Sequence, residues 1–117
     1  MYVFVLSLIM ENKFKEFYDG CIGAWGKKSQ MVLAIEEMSE LQKEICKYLR
    51  TEENTCGGND KKIEDIIENI REEIADVFVT VGEMAYIFGE DEVEKIKERK
   101  LERGRKRLED WNKKPQV

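Results

Sequence analysis

Four carboxylates stand out by their spacing: Glu37 and Glu40 in Ala34-Ile35-Glu36-Glu37-Met38-Ser39-Glu40-Leu41, and Glu73 and Asp76 in Arg71-Glu72-Glu73-Ile74-Ala75-Asp76-Val77. Both runs read as helix, and each pair is three residues apart, about one turn, so its members share a face. Such pairs are ordinary on solvated helices. What sets these apart is their place on wheels drawn at about 100° per residue. Over residues 31–50 the apolar arc holds Met31, Ala34, Ile35, Met38, Leu41, Ile45 and Leu49, with Glu37 at its edge between Leu33 and Leu41, and Glu40 one step toward solvent. Over residues 63–88 the arc runs Ile63, Ile66, Ile67, Ile70, Ile74, Val77, Phe78, Val81, Met84 and Phe88. Glu73 lies on its edge, and Asp76 shares a neighbouring stripe with Asn69, Thr80 and Glu83. Two helices packed through these arcs would bring four carboxylates to one rim.

Four anions in a partly dry place repel by roughly 4 kcal/mol per pair at about 4 Å and an effective dielectric near 20. A helical i,i+4 contact, worth about 0.2–0.5 kcal/mol, does not offset that. A cation is therefore expected among them. Hard oxygen ligands in a chain without a single His argue for Mg²⁺ or Mn²⁺ and against zinc.

The elements that must position these groups follow from the rest of the chain. At 117 residues it reads as one domain, with 38% charged and 42% apolar residues, one Pro and eight Gly, the profile of a compact helical protein. A net charge of -5 speaks against coating a nucleic-acid polymer. Cys21, Cys46 and Cys56 are odd in number and lack metal-site or disulfide-framework spacing, so reduced thiols in a cytoplasmic setting are expected. The apolar opening, residues 1–10, is too short to span a membrane and lacks a basic n-region and a small-residue cleavage site. It reads as a strand-like or helical lead-in, or as residues ahead of a start at Met10.

Residues 11–19 form a short amphipathic helix, and Gly20, Gly23 and Gly26 then predict a turn. A second helix is expected over 28–49, a mobile polar loop over 51–60, and a third helix over 61–88 stopped by Gly89. The later half of the third helix, residues 75–88, is apolar nearly all round, which predicts a homo-oligomer, a homodimer or homotetramer, with this helix at its centre. The fourth helix, 90–110, carries a thin apolar stripe of Val93, Ile96, Leu101, Leu108 and Trp111, and residues 111–117 form a tail. Lys100 and Arg107 fall on that stripe beside Gly104, with Arg103 and Lys97 flanking. Those cations are placed either to pair with the acidic helices or to grip phosphates. Cys56-Gly57-Gly58-Asn59 lacks the Lys-Ser/Thr of a phosphate-binding loop, and no His-dependent nucleophile set can form.

The combination Glu36-Glu37-x-x-Glu40 with Glu73-x-x-Asp76 resembles the MazG-like nucleoside triphosphate pyrophosphohydrolases, members of the all-α NTP pyrophosphatase superfamily. The likeness extends to Trp25-Gly26-x-x-x-Gln30, to Glu40-Leu41, to Glu72-Glu73-Ile74-Ala75-Asp76-Val77 and to the basic fourth helix, over roughly residues 11–110. It implies a four-helix bundle completed by oligomerisation, and Mg²⁺-dependent cleavage of a (d)NTP to (d)NMP and pyrophosphate. Carried over, Glu37, Glu40, Glu73 and Asp76 would be metal ligands, the four that the wheels also single out. Glu36 would orient water or support Glu40, and Lys100, Arg103 and Arg107 would meet the pyrophosphate. Trp25, a possible stacking partner for a base or a core staple, and Gln30 would complete the substrate site. Two departures stand out: the 32 residues 41–72 between the acidic motifs are toward the long side, and the fourth helix lacks a Lys-Asn pair of some relatives.

Two other readings stand beside this one. The first is a catalytically silent helical module that keeps the fold and binds a partner through the third helix. The second is an unrelated bundle whose rim carboxylates hold a structural cation.

Overall fold

Among the described residues four helices follow one another: α1 (Tyr2–Trp25), α2 (Lys27–Glu53), α3 (Asp60–Phe88) and α4 (Glu90–Lys113). The computed structural model describes residues 2–53 and 60–115, with side chains over 14–51 and 62–115, and no strand occurs among the described residues. The all-α expectation holds at that level. Two glycines with positive φ end helices: Gly26 (φ 84°) follows α1 and Gly89 (φ 116°) follows α3. Only glycine enters that region without a Cβ penalty. The Gly26 N–H donates to the Ile22 carbonyl at 2.8 Å, closing the last turn of α1.

The turn expected after residue 19 does not form. Helix α1 runs through Gly20 and Gly23 to Trp25, and the apolar opening from Tyr2 onward is part of the same helix. A glycine inside a helix costs only about 1 kcal/mol relative to alanine, so two of them do not end a long helix. Helix α2 likewise passes the expected end at Leu49 and reaches Glu53, while α4 extends to Lys113. Of the mobile loop expected over 51–60, residues 51–53 belong to α2 and Asp60 to α3, while residues 54–59, with Cys56 among them, lie outside the described residues.

The chain forms two compact units, Met1–Tyr86 and Ile87–Val117. In the first, α1 meets α3 through aromatic residues. Tyr18 is buried, its ring stacks on Tyr86 with centroids 5.8 Å apart, and the Tyr86 hydroxyl donates to Asp19 Oδ1. Gly82 makes this approach possible, because a Cβ there would overlap the Tyr18 hydroxyl. In the second unit α4 is exposed along its whole length.

The α2–α3 seam differs from the expected one. The α2 residues turned inward are Gln30, Ala34, Glu37, Leu41, Glu44 and Tyr48, a strict 4-3-4-3-4 stripe. The expected apolar arc shares Ala34 and Leu41 with this stripe, and its other large members lie about one residue further round the helix. Ile35, Met38, Ile45 and Leu49 are consequently exposed, as are Ile74, Phe78 and Val81 on α3. On α3 the inward positions Ile63, Ile66, Ile70, Glu73, Val77, Thr80 and Met84 follow the same alternation, and Glu83 is buried beside them. Polar groups therefore occupy much of the seam, and large apolar side chains stand outside it.

Candidate functional site

Gln30 faces Glu83, and Glu37 faces Glu73 and Asp76, so α2 and α3 run antiparallel. Seven residues separate Gln30 from Glu37 and Asp76 from Glu83, about two turns or 10.5 Å along each axis. This register brings a carboxylate oxygen from each of Glu37, Glu73 and Asp76 within 4.8 Å of the others. Glu37 and Glu73 are half-buried, whereas Asp76 is exposed, so the group sits on the rim with one open side.

No cation of the protein neutralises this group among the recorded ion pairs of the described residues. Burial first, and then the charges of Asp76, Glu73, Glu40 and Glu36, hold the Glu37 carboxyl above its ordinary range. Glu73 is raised in the same way, by burial and then by Asp76, Glu40, Glu44 and Glu72. Its Oε2 is buried with no hydrogen-bond partner. Hard oxygen donors from two helices, close together and lacking a counter-charge, fit a divalent cation such as Mg²⁺ or Mn²⁺.

The seam's other end is chemically complete. Gln30 Nε2 donates to both Glu83 Oε1 and Oε2 at 2.9 Å, with the amide in the orientation that satisfies both groups. Glu83 is only 3% exposed, and burial pushes its carboxyl up. The neighbouring Thr80 hydroxyl donates to the Val77 carbonyl at 3.2 Å.

Comparison with protein-family models, with curated proteins and with solved structures gives no match. The site must therefore be read from its own residues.

Of the residues singled out in the sequence, Glu37, Glu73 and Asp76 come together. Glu40 is exposed beside them, pairs with Lys43 at 3.8 Å and lies outside the close group, although its charge acts on both Glu37 and Glu73. Glu36 is exposed. Gln30, expected to meet substrate, has its amide committed to Glu83. Trp25, 65% exposed, ends α1. Lys100, Arg103 and Arg107 lie on α4 in the second unit, where Ile96, Arg99, Lys100 and Arg103 line a shallow depression. The ion pairs within α4 use Lys97 with Glu94, and Arg105 with Glu102 and Glu109.

The wheels missed Glu44 and the pairing role of Glu83. Glu44 lies seven residues after Glu37, as Gln30 lies seven before it. A search for polar residues at heptad spacing would have found that stripe; a search centred on the apolar arc does not.

Proposed function

We propose that this chain is a MazG-like pyrophosphohydrolase that cleaves a (d)NTP to (d)NMP and pyrophosphate. The observation that carries the reading is the convergence of Glu37, Glu73 and Asp76 from two helices without a counter-charge. The motif spacing Glu36-Glu37-x-x-Glu40 and Glu73-x-x-Asp76 agrees with it.

In this reading Glu37, Glu73 and Asp76 hold Mg²⁺ or Mn²⁺, with Glu40 within reach of the same rim. Bound there, the ion would supply positive charge to phosphate oxygens and lower the pKa of water. In the balanced reaction the water oxygen bonds to the α-phosphorus, the bond from that phosphorus to the α,β-bridging oxygen breaks, and the water's proton passes to a carboxylate. Glu40 and Glu36, both exposed, are the carboxylates proposed to take that proton. The family likeness, rather than the geometry, assigns Trp25 to the base and Lys100, Arg103 and Arg107 to the pyrophosphate.

A homo-oligomer is part of the proposal. Phe78 is 74% exposed, and with Val81 on α3 and Ile35, Met38, Ile45 and Leu49 on α2 it leaves large apolar side chains uncovered. A second copy of the chain is the proposed cover. A cytoplasmic nucleotide pool is the proposed setting, in keeping with the unpaired thiols of Cys21 and Cys46. Among the described residues no helix is long and apolar enough to cross a membrane.

The test is pyrophosphate release from a panel of canonical and modified (d)NTPs, with Mg²⁺ and then with EDTA. Release that EDTA abolishes, with a monophosphate as the other product, supports the reading. No release from any of them, in a folded protein that binds Mg²⁺, favours the silent interaction module.

A further inference from the structure

Gln30, which the family likeness assigns to substrate, is closed off in the fold: it is 5% exposed, and its amide is taken up by Glu83, itself 3% exposed. The nearby Thr80 hydroxyl donates to the Val77 carbonyl and so gives Glu83 nothing. Gln30 also stands where α2 begins. Its backbone N–H donates to the Gly26 carbonyl at 3.2 Å, and Gly26, with φ 84°, is the single residue between α1 and α2. Gln30 is therefore the first inward polar residue at which α2 is fixed against α3.

That fixing matters because the α2 stripe repeats. Gln30, Glu37 and Glu44 recur every seven residues, about two helical turns, and so present the same face at successive levels. Of the three, Gln30 alone carries a donor, since an ionised carboxylate only accepts. On α3, Asp76 and Glu83 are likewise seven residues apart. Moving α2 along α3 by one repeat, about 10.5 Å, would bring Glu44 to Glu73 and Asp76 and rebuild an acidic group there. It would also set Glu37 against Glu83, two carboxylates with no donor between them, which leaves a buried anion unpaired. The apolar positions do not make this distinction, because Ala34, Leu41 and Tyr48 follow the same seven-residue repeat.

We propose that Gln30 is a positioning residue for the acidic group: its amide on Glu83 selects the α2 register that puts Glu37, and not Glu44, against Glu73 and Asp76. A single buried polar residue fixes the register of paired helices in the same way elsewhere. The inference rests on the cation-site reading above. It adds to that reading a determinant two helical turns away from Glu37, one that touches neither ion nor substrate.

The experiment measures Mn²⁺ affinity from the free-ion electron paramagnetic resonance signal, with Mn²⁺ alone added to the whole chain and the helix content of each variant checked by circular dichroism. Gln30→Glu keeps the shape, removes the donor and adds a negative charge. Charge alone would strengthen cation binding, whereas loss of register weakens it, so the sign separates the two. The expected result is an affinity lower by about tenfold or more. The exchanged pair, Gln30→Glu with Glu83→Gln, restores a donor and an acceptor in reversed order and should recover most of the lost affinity. Gln30→Leu removes the donor without adding charge and should weaken binding while leaving it measurable, which decides the question if Gln30→Glu does not fold. Unchanged or higher affinity in the folded single variants, or an exchanged pair that binds no better than Gln30→Glu, overturns the inference and leaves the cation site standing. No bound Mn²⁺ in the unsubstituted protein overturns both.

Discussion

Two carboxylates on α3, the half-buried Glu73 and the buried Glu83, face the same helix, and the chain treats them in opposite ways. Glu83 receives an amide donor on both oxygens from Gln30. Glu73 receives Glu37 and Asp76, two more anions, and keeps an orphan oxygen. A satisfied buried group fixes the packing of its helices, whereas an unsatisfied one raises the energy of the empty protein until a ligand completes it. On the proposed reading the upper, Gln30–Glu83 end of the seam is a structural joint and the lower, Glu37–Glu73–Asp76 end a cation receptor, on one pair of helices.

On the proposed function, the largest effect that separates the two ends is on catalysis. Glu37→Gln or Asp76→Asn should lower Mg²⁺-dependent pyrophosphate release by about a hundredfold or more, since each removes a ligand charge at the reacting phosphate. The same variants should melt at equal or higher temperature in EDTA, because repulsion within the acidic group is relieved. Loss of stability in EDTA would show that these carboxylates have protein partners after all.

At the upper end the signs reverse. Gln30→Leu strands the Glu83 carboxylate and should cost about 1–3 kcal/mol of stability, read by urea unfolding. Glu83→Gln, which keeps shape and removes the charge, should cost much less. Equal losses in the two variants would contradict the joint. The α1–α3 contact offers a related check: Gly82→Ala pushes a methyl into the Tyr18 hydroxyl and should cost about 1–3 kcal/mol. In a Tyr18→Phe background that cost should shrink, because the overlapping atom is gone; an additive double-mutant cycle would refute the close approach.

Acidity should act on both ends while leaving them distinguishable. Glu37, Glu73 and Glu83 have folded pKa values above their ordinary 4.5, owing first to burial. Between that value and the raised one the folded chain binds more protons than the unfolded chain. Stability of the metal-free protein therefore falls as pH rises through this window and is regained on acidification from neutrality toward about 4.5. Glu102 is lowered by its hydrogen bond from Arg105 and acts oppositely, but the pair is exposed and contributes little. Saturating Mg²⁺ should remove the part of this dependence that comes from Glu37 and Glu73 and leave that of Glu83, as measured by melting across pH.

The smallest effect concerns self-association. Phe78→Glu places a charge on the exposed apolar face of α3 and should shift the protein toward monomer in sedimentation, with the fold retained. An unchanged mass would remove this face from the interface.

Much of this was legible in the residues. Helix content follows from the 3.6-residue periodicity, and Gly89 was readable as a stop because a helix end favours positive φ. The convergence of Glu37, Glu73 and Asp76 was legible from their spacing. The seam itself was not, because the wheels assume that the apolar arc faces the neighbouring helix. Here Gln30, Glu37 and Glu44 face it together with Ala34 and Leu41 of that arc, and Ile35, Met38 and Ile45 face out. The continuity of α1 was also hidden: Gly20 and Gly23 have the composition of a turn, and only their place in a long helix with open space around each Cα shows otherwise.

The central claim is that the lower seam is built for a cation and the upper one is not. Melting of the unsubstituted protein, Asp76→Asn and Gln30→Leu, each in Mg²⁺ and in EDTA, tests it most directly. The account predicts a rise in melting temperature with Mg²⁺ for the unsubstituted protein and for Gln30→Leu, and little or none for Asp76→Asn. No rise in the unsubstituted protein, or an equal rise in Asp76→Asn, would contradict it.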